Sequence, residues 1–174
     1  MNDTASIFEG HTVRFERIFA ASVDRLWVYL TSPEGLRTWL ADGAIGPDRV
    51  NLSFANNGSE IHGAVLIWDP PRIVEFEWSG GPTQPQGSRV RFELAPHAEG
   101  SRLVLTHSRV RAPAAPDFAA GWHRHLDTLG VVVRGAEPAA DRPSWLELYR
   151  RYAAVENGTT VSSRIAITGA AAKT

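Results

Sequence analysis

The side chains able to do chemistry in this chain are few and spread out. His107 stands in RLVLTHSRV (102–110), where strand alternation puts it on the face of Leu103 and Leu105. An imidazole, whose unperturbed pKa lies near 6.5, can orient a ligand's polar group from an apolar wall or act as acid or base. It also reads, more simply, as a hydrogen-bonded core or rim histidine near a strand end. Arg17 shares a strand face with Val13 and Phe15. It is either a cavity-wall cation suited to an acidic ligand or, more simply, a strand-end charge reaching water. His62 lies on one face with Ala64, Leu66 and Trp68, and the sequence leaves open which face of that strand is inward. His123 and His125 sit two apart on a helical stretch, so they point to different sides and cannot clasp one metal together. Both read as rim or surface groups, with His125 nearer the apolar stripe.

Other catalytic constellations lack their residues. The 174-residue chain has no cysteine, which removes disulfides, thiolate metal sites and cysteine nucleophiles. It contains neither HExxH nor GxSxG, so zinc-protease and serine-hydrolase chemistry have no anchor. No metal site and no cofactor is expected. Gly43, Gly46 and Pro47, like Gly80 and Gly81, mark loops that no phosphate-cradling helix start follows. Asp24, Glu34, Asp42 and Asp48 cluster near two short helices, and helix starts and turns explain them better than paired-carboxylate catalysis. Glu75 and Glu77 read as a solvated strand face, with Arg14 and Arg91 as weak cross-strand partners. Lys and Arg number 18 against 19 Asp and Glu. That balance argues against nucleic-acid or anionic-membrane partners, which need a basic surplus.

These residues need elements to hold them. TVRFERIFA (12–20) alternates as a strand. Ser22 offers an N-cap, with Val23, Leu26, Trp27 and Leu30 at helical spacing after it. Ser32-Pro33-Glu34 signals a second helix start, and Leu36, Trp39 and Leu40 complete it. The middle is β-rich: VNLSF (50–54), the Asn57-Gly58 turn, EIHGAVLIW (60–68), RIVEFEW (72–78), RVRFEL (89–94) and RLVLTHSRV. Short turns between such runs predict an antiparallel meander, with 79–88 as a flexible loop. Phe118, Trp122, Leu126, Leu129 and Val133 form one apolar stripe of a long helix over 117–135. Ser144 and Glu147 give a capping-box pattern for a last helix over 144–152. Residues 1–11 read as a flexible N-terminus, 12–152 as one folded domain, and 153–174 as a tail of unknown order.

The six tryptophans, Trp27, Trp39, Trp68, Trp78, Trp122 and Trp145, are many for this length. Each brings a large apolar body and an N–H that must be satisfied when buried. Trp39, Phe54, Phe76, Trp78, Phe92, Leu105, Trp122, Leu126 and Leu129 would converge between sheet and long helix, joined there by His107. They either line an apolar cavity with a few placed polar groups or fill the space completely as core.

The order strand, two short helices, meander and long helix carries residue-level matches. In RIFAASVDRLWVYLTSPEGLRTWL (17–40), HGAVLIWDPPRIVEFEW (62–78), VRFELAPHAEGSRLVLTHS (90–108) and GWHRHLDTL (121–129), the chain resembles the START-like (SRPBCC) superfamily. Within it, the chain is similar to homologues of the heat-shock protein 90 ATPase activator C-terminal domain. The resemblance implies an α+β helix-grip fold, a curved antiparallel sheet wrapped around a long C-terminal helix with two short helices after the first strand. ADGAIGPDRVNLSF (41–54) departs from the family's Gly-Gly-containing strand pair, which puts that sheet edge and the cavity mouth in question. The resemblance implies binding of a small apolar or aromatic ligand between sheet and helix, without assigned catalysis. Its alternatives are a cyclase/aromatase- or hydrolase-like enzyme using His107, and a co-chaperone-like protein-interaction module. A homodimer is the simplest protein partner. The first twenty residues carry charges and no apolar run, which predicts a cytoplasmic protein with no membrane partner.

Overall fold

Strand β2 (Thr12–Phe19) alternates half-buried and buried residues along its whole length, so Val13, Phe15, Arg17 and Phe19 all face inward. That alternation continues across its neighbours because antiparallel register places inward residues opposite one another. Val13, Phe15 and Arg17 lie beside His107, Leu105 and Leu103 of β8 (Gly100–Ser108). Those three lie in turn beside Val90, Phe92 and Leu94 of β7 (Ser88–His97). Val74, Phe76 and Trp78 of β6 (Ile73–Trp78) continue the same inner face. The computed structural model describes residues 4–8, 12–80, 87–154 and 160–162.

The remaining strands are β1 (Thr4–Phe8), β3 (Asp42–Ile45), β4 (Arg49–Phe54), β5 (Ser59–Asp69) and β9 (Thr160–Ser162). They complete one antiparallel sheet of order β3-β4-β5-β6-β7-β8-β2-β1-β9 among the described residues. The edge in question is a regular β3-β4 hairpin pairing Asp42 with Ser53 and Ile45 with Val50. Gly43 makes it feasible: its φ is +135°, and a Cβ there would sit 2.0 Å from the Asn51 carbonyl oxygen. Two short strands lie in the segments outside the expected domain. Thr4–Phe8, inside the segment read as a flexible N-terminus, pairs in register with β2. Thr160–Ser162, inside the tail of unknown order, pairs with β1. The rest of that tail from residue 155, and 81–86 of the expected loop, lie outside the described residues.

β5 resolves the question of His62. Ile61 is buried, His62 points outward, and its Nδ1 lies 3.1 Å from the Asn51 side-chain oxygen. A register shift between Val65 and Ile67 then changes the strand's facing, and Trp68 comes to pack 5.2 Å from Trp27. On the outer face Arg91 pairs with Glu75 at 3.0 Å, while Arg14 pairs with Glu16 on its own strand at 2.8 Å.

Helix α1 (Val23–Thr31) starts at Ser22, whose hydroxyl accepts from the Arg25 N–H; α2 (Pro33–Arg37) starts at Ser32, which accepts from the Gly35 N–H. Helix α3 (Ala115–Val132) lays Trp122, Leu126 and Leu129 onto the sheet, with Phe118 partly buried beside them. Helix α4 (Trp145–Ala153) opens with the reciprocal Ser144–Glu147 capping box and packs Leu148 and Tyr152 into the core. A long helix gripped by an antiparallel sheet, with two short helices after the first long strand, is the α+β helix-grip arrangement.

Candidate functional site

The inner face of the sheet is filled. Phe76, Phe92, Leu105, Leu126 and Leu129 are each at most 1% exposed, and they form close-packed core rather than the wall of a space. The open volume lies further along, where α2, the β4–β5 end and the first half of α3 diverge. There a cleft of about 870 Å³ is bordered by Trp39, Phe54, Trp78 and Trp122. So of the nine apolar residues expected to converge on a space, these four reach it, and the other five lie behind them.

The four rings form a continuous apolar surface. Phe54 and Trp78 have centroids 5.8 Å apart, and Trp78 and Trp122 are 5.3 Å apart. Two of the indoles have their polar edges turned away from the cleft. Trp39 Nε1–H donates to the Tyr29 carbonyl at 2.8 Å, and Trp122 Nε1–H donates to His107 Nδ1 at 3.0 Å. With those N–H groups satisfied behind, these two rings offer apolar surface without an orphaned donor.

His107 is therefore part of the support and not of the site. It is fully buried and does not line the cleft. Because Nδ1 accepts from Trp122, the ring proton sits on Nε2 and is donated to Ser88 Oγ at 2.7 Å. Ser88 Oγ–H then donates to the Trp78 carbonyl at 3.3 Å. This chain ties two cleft tryptophans together through one neutral imidazole. Burial pushes the His107 pKa down to about 3. With both nitrogens engaged and no open face, the ring matches the simpler of its two sequence readings, a hydrogen-bonded core histidine, rather than an accessible acid or base.

His125 is the imidazole that does reach the cleft. Its Nδ1–H donates to the Trp39 carbonyl at 2.8 Å, and its ring lies 6.1–6.5 Å from Phe54, Trp122 and Trp39. Burial lowers its pKa. The hydrogen bond to Trp39 pulls the other way, and the charges of Arg124 and Arg142 lower it further.

Arg17 and His123 belong to a separate buried cluster. Arg17 is 3% exposed and neither faces the cleft nor reaches water. It forms an ion pair with Asp127 of α3 and lies 5.8 Å from the Phe15 ring. His123, expected at the rim or surface, is also 3% exposed. Its Nε2 lies 3.4 Å from Asp127, and its Nδ1 lies 2.7 Å from the Tyr152 hydroxyl. The hydroxyl must donate there, since Nε2 carries the proton facing the carboxylate. Burial lowers His123 to about 4 and raises Tyr152 to about 12. The physical reason for both misplacements is α4: Tyr152 covers a face of α3 that would otherwise be solvated.

The polar border of the cleft escapes a reading by apolar periodicity. Asp117, Gly121, Arg124 and Thr128 line it at spacings of four, three and four along α3. That is the spacing of the apolar stripe, displaced around the helix. Arg142, from the link to α4, joins them by donating to Thr128 Oγ1 at 2.6 Å. Beyond its own helix backbone and chain neighbours, Gly121 has no atom of the described residues within 4 Å of the position its Cβ would take, so this helix face opens onto the cleft. Among the described residues no group of three or more His, Asp or Glu could hold a metal ion, and no helix is long and apolar enough to cross a membrane.

A long helix in a curved sheet, with an aromatic-floored cleft at one end, defines a helix-grip protein of the START-like (SRPBCC) superfamily. More narrowly, the family model for activator of Hsp90 ATPase homolog 1-like proteins matches residues 20–134, and the chain belongs to that family. Solved structures share the fold. The protein encoded by gene BPP1335 from Bordetella parapertussis has a TM-score of 0.67 at 25% identity, over 90% of this chain and 96% of that one. CalU16 from Micromonospora echinospora has a TM-score of 0.65 at 22% identity, over 81% and 83%. DynU16, from the dynemicin biosynthetic locus, has a TM-score of 0.64 at 21% identity, over 74% of this chain and 49% of that one. No curated protein matches.

Proposed function

We propose that the protein binds a small apolar or aromatic molecule in the cleft floored by Trp39, Phe54, Trp78 and Trp122. The observation that carries this reading is a cleft of about 870 Å³, within the roughly 300–1,000 Å³ typical of small-molecule sites, whose floor is aromatic. Two indole N–H groups that would otherwise demand polar partners there are bonded elsewhere. A flat two-ring body burying on the order of 200 Å² would gain about 5 kcal/mol before association costs. The reading assigns no catalysis: His107 is sequestered, and His125 stands among aromatic rings with one nitrogen held by a backbone carbonyl. Titration with a panel of neutral one- to three-ring aromatics, followed by tryptophan fluorescence, tests it. Saturable one-to-one quenching by at least one class is expected. A flat response across the panel would remove the proposal.

A further inference from the structure

The charges around the cleft do not balance. Three arginines line it: Arg37, Arg124 and Arg142. Arg37 is held by Asp42 at 2.7 Å. Neither Arg124 nor Arg142 has a carboxylate partner among the described residues, where Arg142 donates a hydrogen bond to the neutral Thr128 hydroxyl. The remaining acid at the cleft, Asp117, accepts a hydrogen bond from the Trp145 side chain, and burial raises its pKa. Arg124 and Arg142 both line the cleft. The Arg142 guanidinium donates to Thr128 Oγ1, four residues and so about one helical turn beyond Arg124 on α3, and the charges of both arginines lower the His125 pKa. The chain as a whole carries a formal charge of -1, so two unpaired guanidiniums at the lip of one aromatic cleft are not a by-product of a basic surface.

We infer that the ligand is an aromatic carboxylic acid, its rings against the tryptophan floor and its carboxylate held between Arg124 and Arg142. The inference rests on the binding reading above and names the substrate class of that site. A guanidinium presents its N–H groups as a planar fork matched to the two oxygens of a carboxylate. Two such forks around one neutral imidazole select an anion over its uncharged isostere. Thr128 holds Arg142 in place, so less side-chain freedom is lost when the anion arrives.

The test compares 2-naphthoate with 2-naphthamide, of the same ring system and nearly the same shape, by tryptophan quenching at low ionic strength. The wild-type protein is expected to bind the acid about tenfold more tightly than the amide, with the ratio shrinking as salt is added. In R124Q/R142Q the ratio should collapse to about one, and R124K/R142K should keep part of it. R124Q alone breaks no hydrogen bond or ion pair among the described residues, so it guards against misfolding and should lower the ratio by itself. Equal binding of both probes by the wild type overturns the carboxylate inference and leaves the cleft as a neutral site. So does a preference that survives R124Q/R142Q. If neither probe binds while another aromatic of the panel does, this inference falls alone; if nothing in the panel binds, the binding reading falls with it.

Discussion

Lowering the pH from 7.5 to 5 should destabilise this protein before its carboxylates titrate. The cause is the buried neutral histidines. His107 has a folded-state pKa of about 3 and His123 of about 4, against about 6.5 for each in the unfolded chain. Below 6.5 the unfolded chain takes up protons that the folded chain refuses, so stability falls with pH. Above 6.5 it is fully present; it is lost through the window from 6.5 down to each folded pKa. At pH 5 each histidine costs about 1.5 pH units, or about 2 kcal/mol, so the pair costs about 4 kcal/mol. With a urea dependence of roughly 2 kcal/mol per molar, the unfolding midpoint should drop by about 2 M. His125 is lowered too and adds in the same direction. Asp117 is raised by burial and has the opposite sign, so D117N separates its part. The assay is urea unfolding followed by tryptophan fluorescence at pH 7.5, 6.5, 5.5 and 5, together with imidazole nitrogen shifts by NMR. His107 should stay in the Nε2–H tautomer throughout. A midpoint that moves by less than about 0.5 M, or a His107 that titrates near 6.5 in folded protein, would refute the hydrogen-bond chain from Trp122 through His107 to Ser88.

Two further outcomes follow from particular contacts. D127A leaves the guanidinium of Arg17 buried without its ion-pair partner, in a place where its Nε and Nη2 already lack hydrogen-bond partners among the described residues. It should cost about 3–5 kcal/mol in chemical denaturation, and a cost under about 1 kcal/mol would show that water reaches the arginine. G121A should raise stability by up to about 1 kcal/mol, because the glycine is mid-helix and its Cβ position is empty. A loss of stability would mean that this face of α3 is packed.

What could be read from the sequence tracks how local each cause is. VEFEW declares its faces because alternation is a property of five consecutive residues, and Val74, Phe76 and Trp78 are all buried. Ser22, Ser32 and Ser144 declare helix starts because the cap and the N–H it satisfies lie three residues apart. The inward facing of His107 was legible on the same grounds. So was its simpler reading as a hydrogen-bonded core histidine; its partners were not, because Ser88 and Trp122 lie 19 and 15 residues away in sequence. Arg17 shows the same limit more strongly, since its ion pair spans 110 residues and turns a supposed surface charge into a buried one. The floor of the cleft was half legible: large aromatics marked Trp39, Phe54, Trp78 and Trp122, but nothing local distinguishes a ring that borders space from one that fills it. Its polar lip was hidden because Asp117, Arg124 and Thr128 have the composition of a solvated helix face.

The central claim is that the cleft beside Gly121 is a binding site for an aromatic ring system. It is met most directly by titrating 2-naphthamide into wild-type protein and into G121L, with tryptophan quenching and thermal unfolding measured on both. A leucine at this position starts from a Cβ with nothing within 4 Å of it among the described residues and would occupy part of the cleft. Saturable quenching in the wild type that is lost in G121L, with the unfolding temperature held, is the predicted result. Quenching that persists unchanged in G121L would place the ligand elsewhere and contradict the claim.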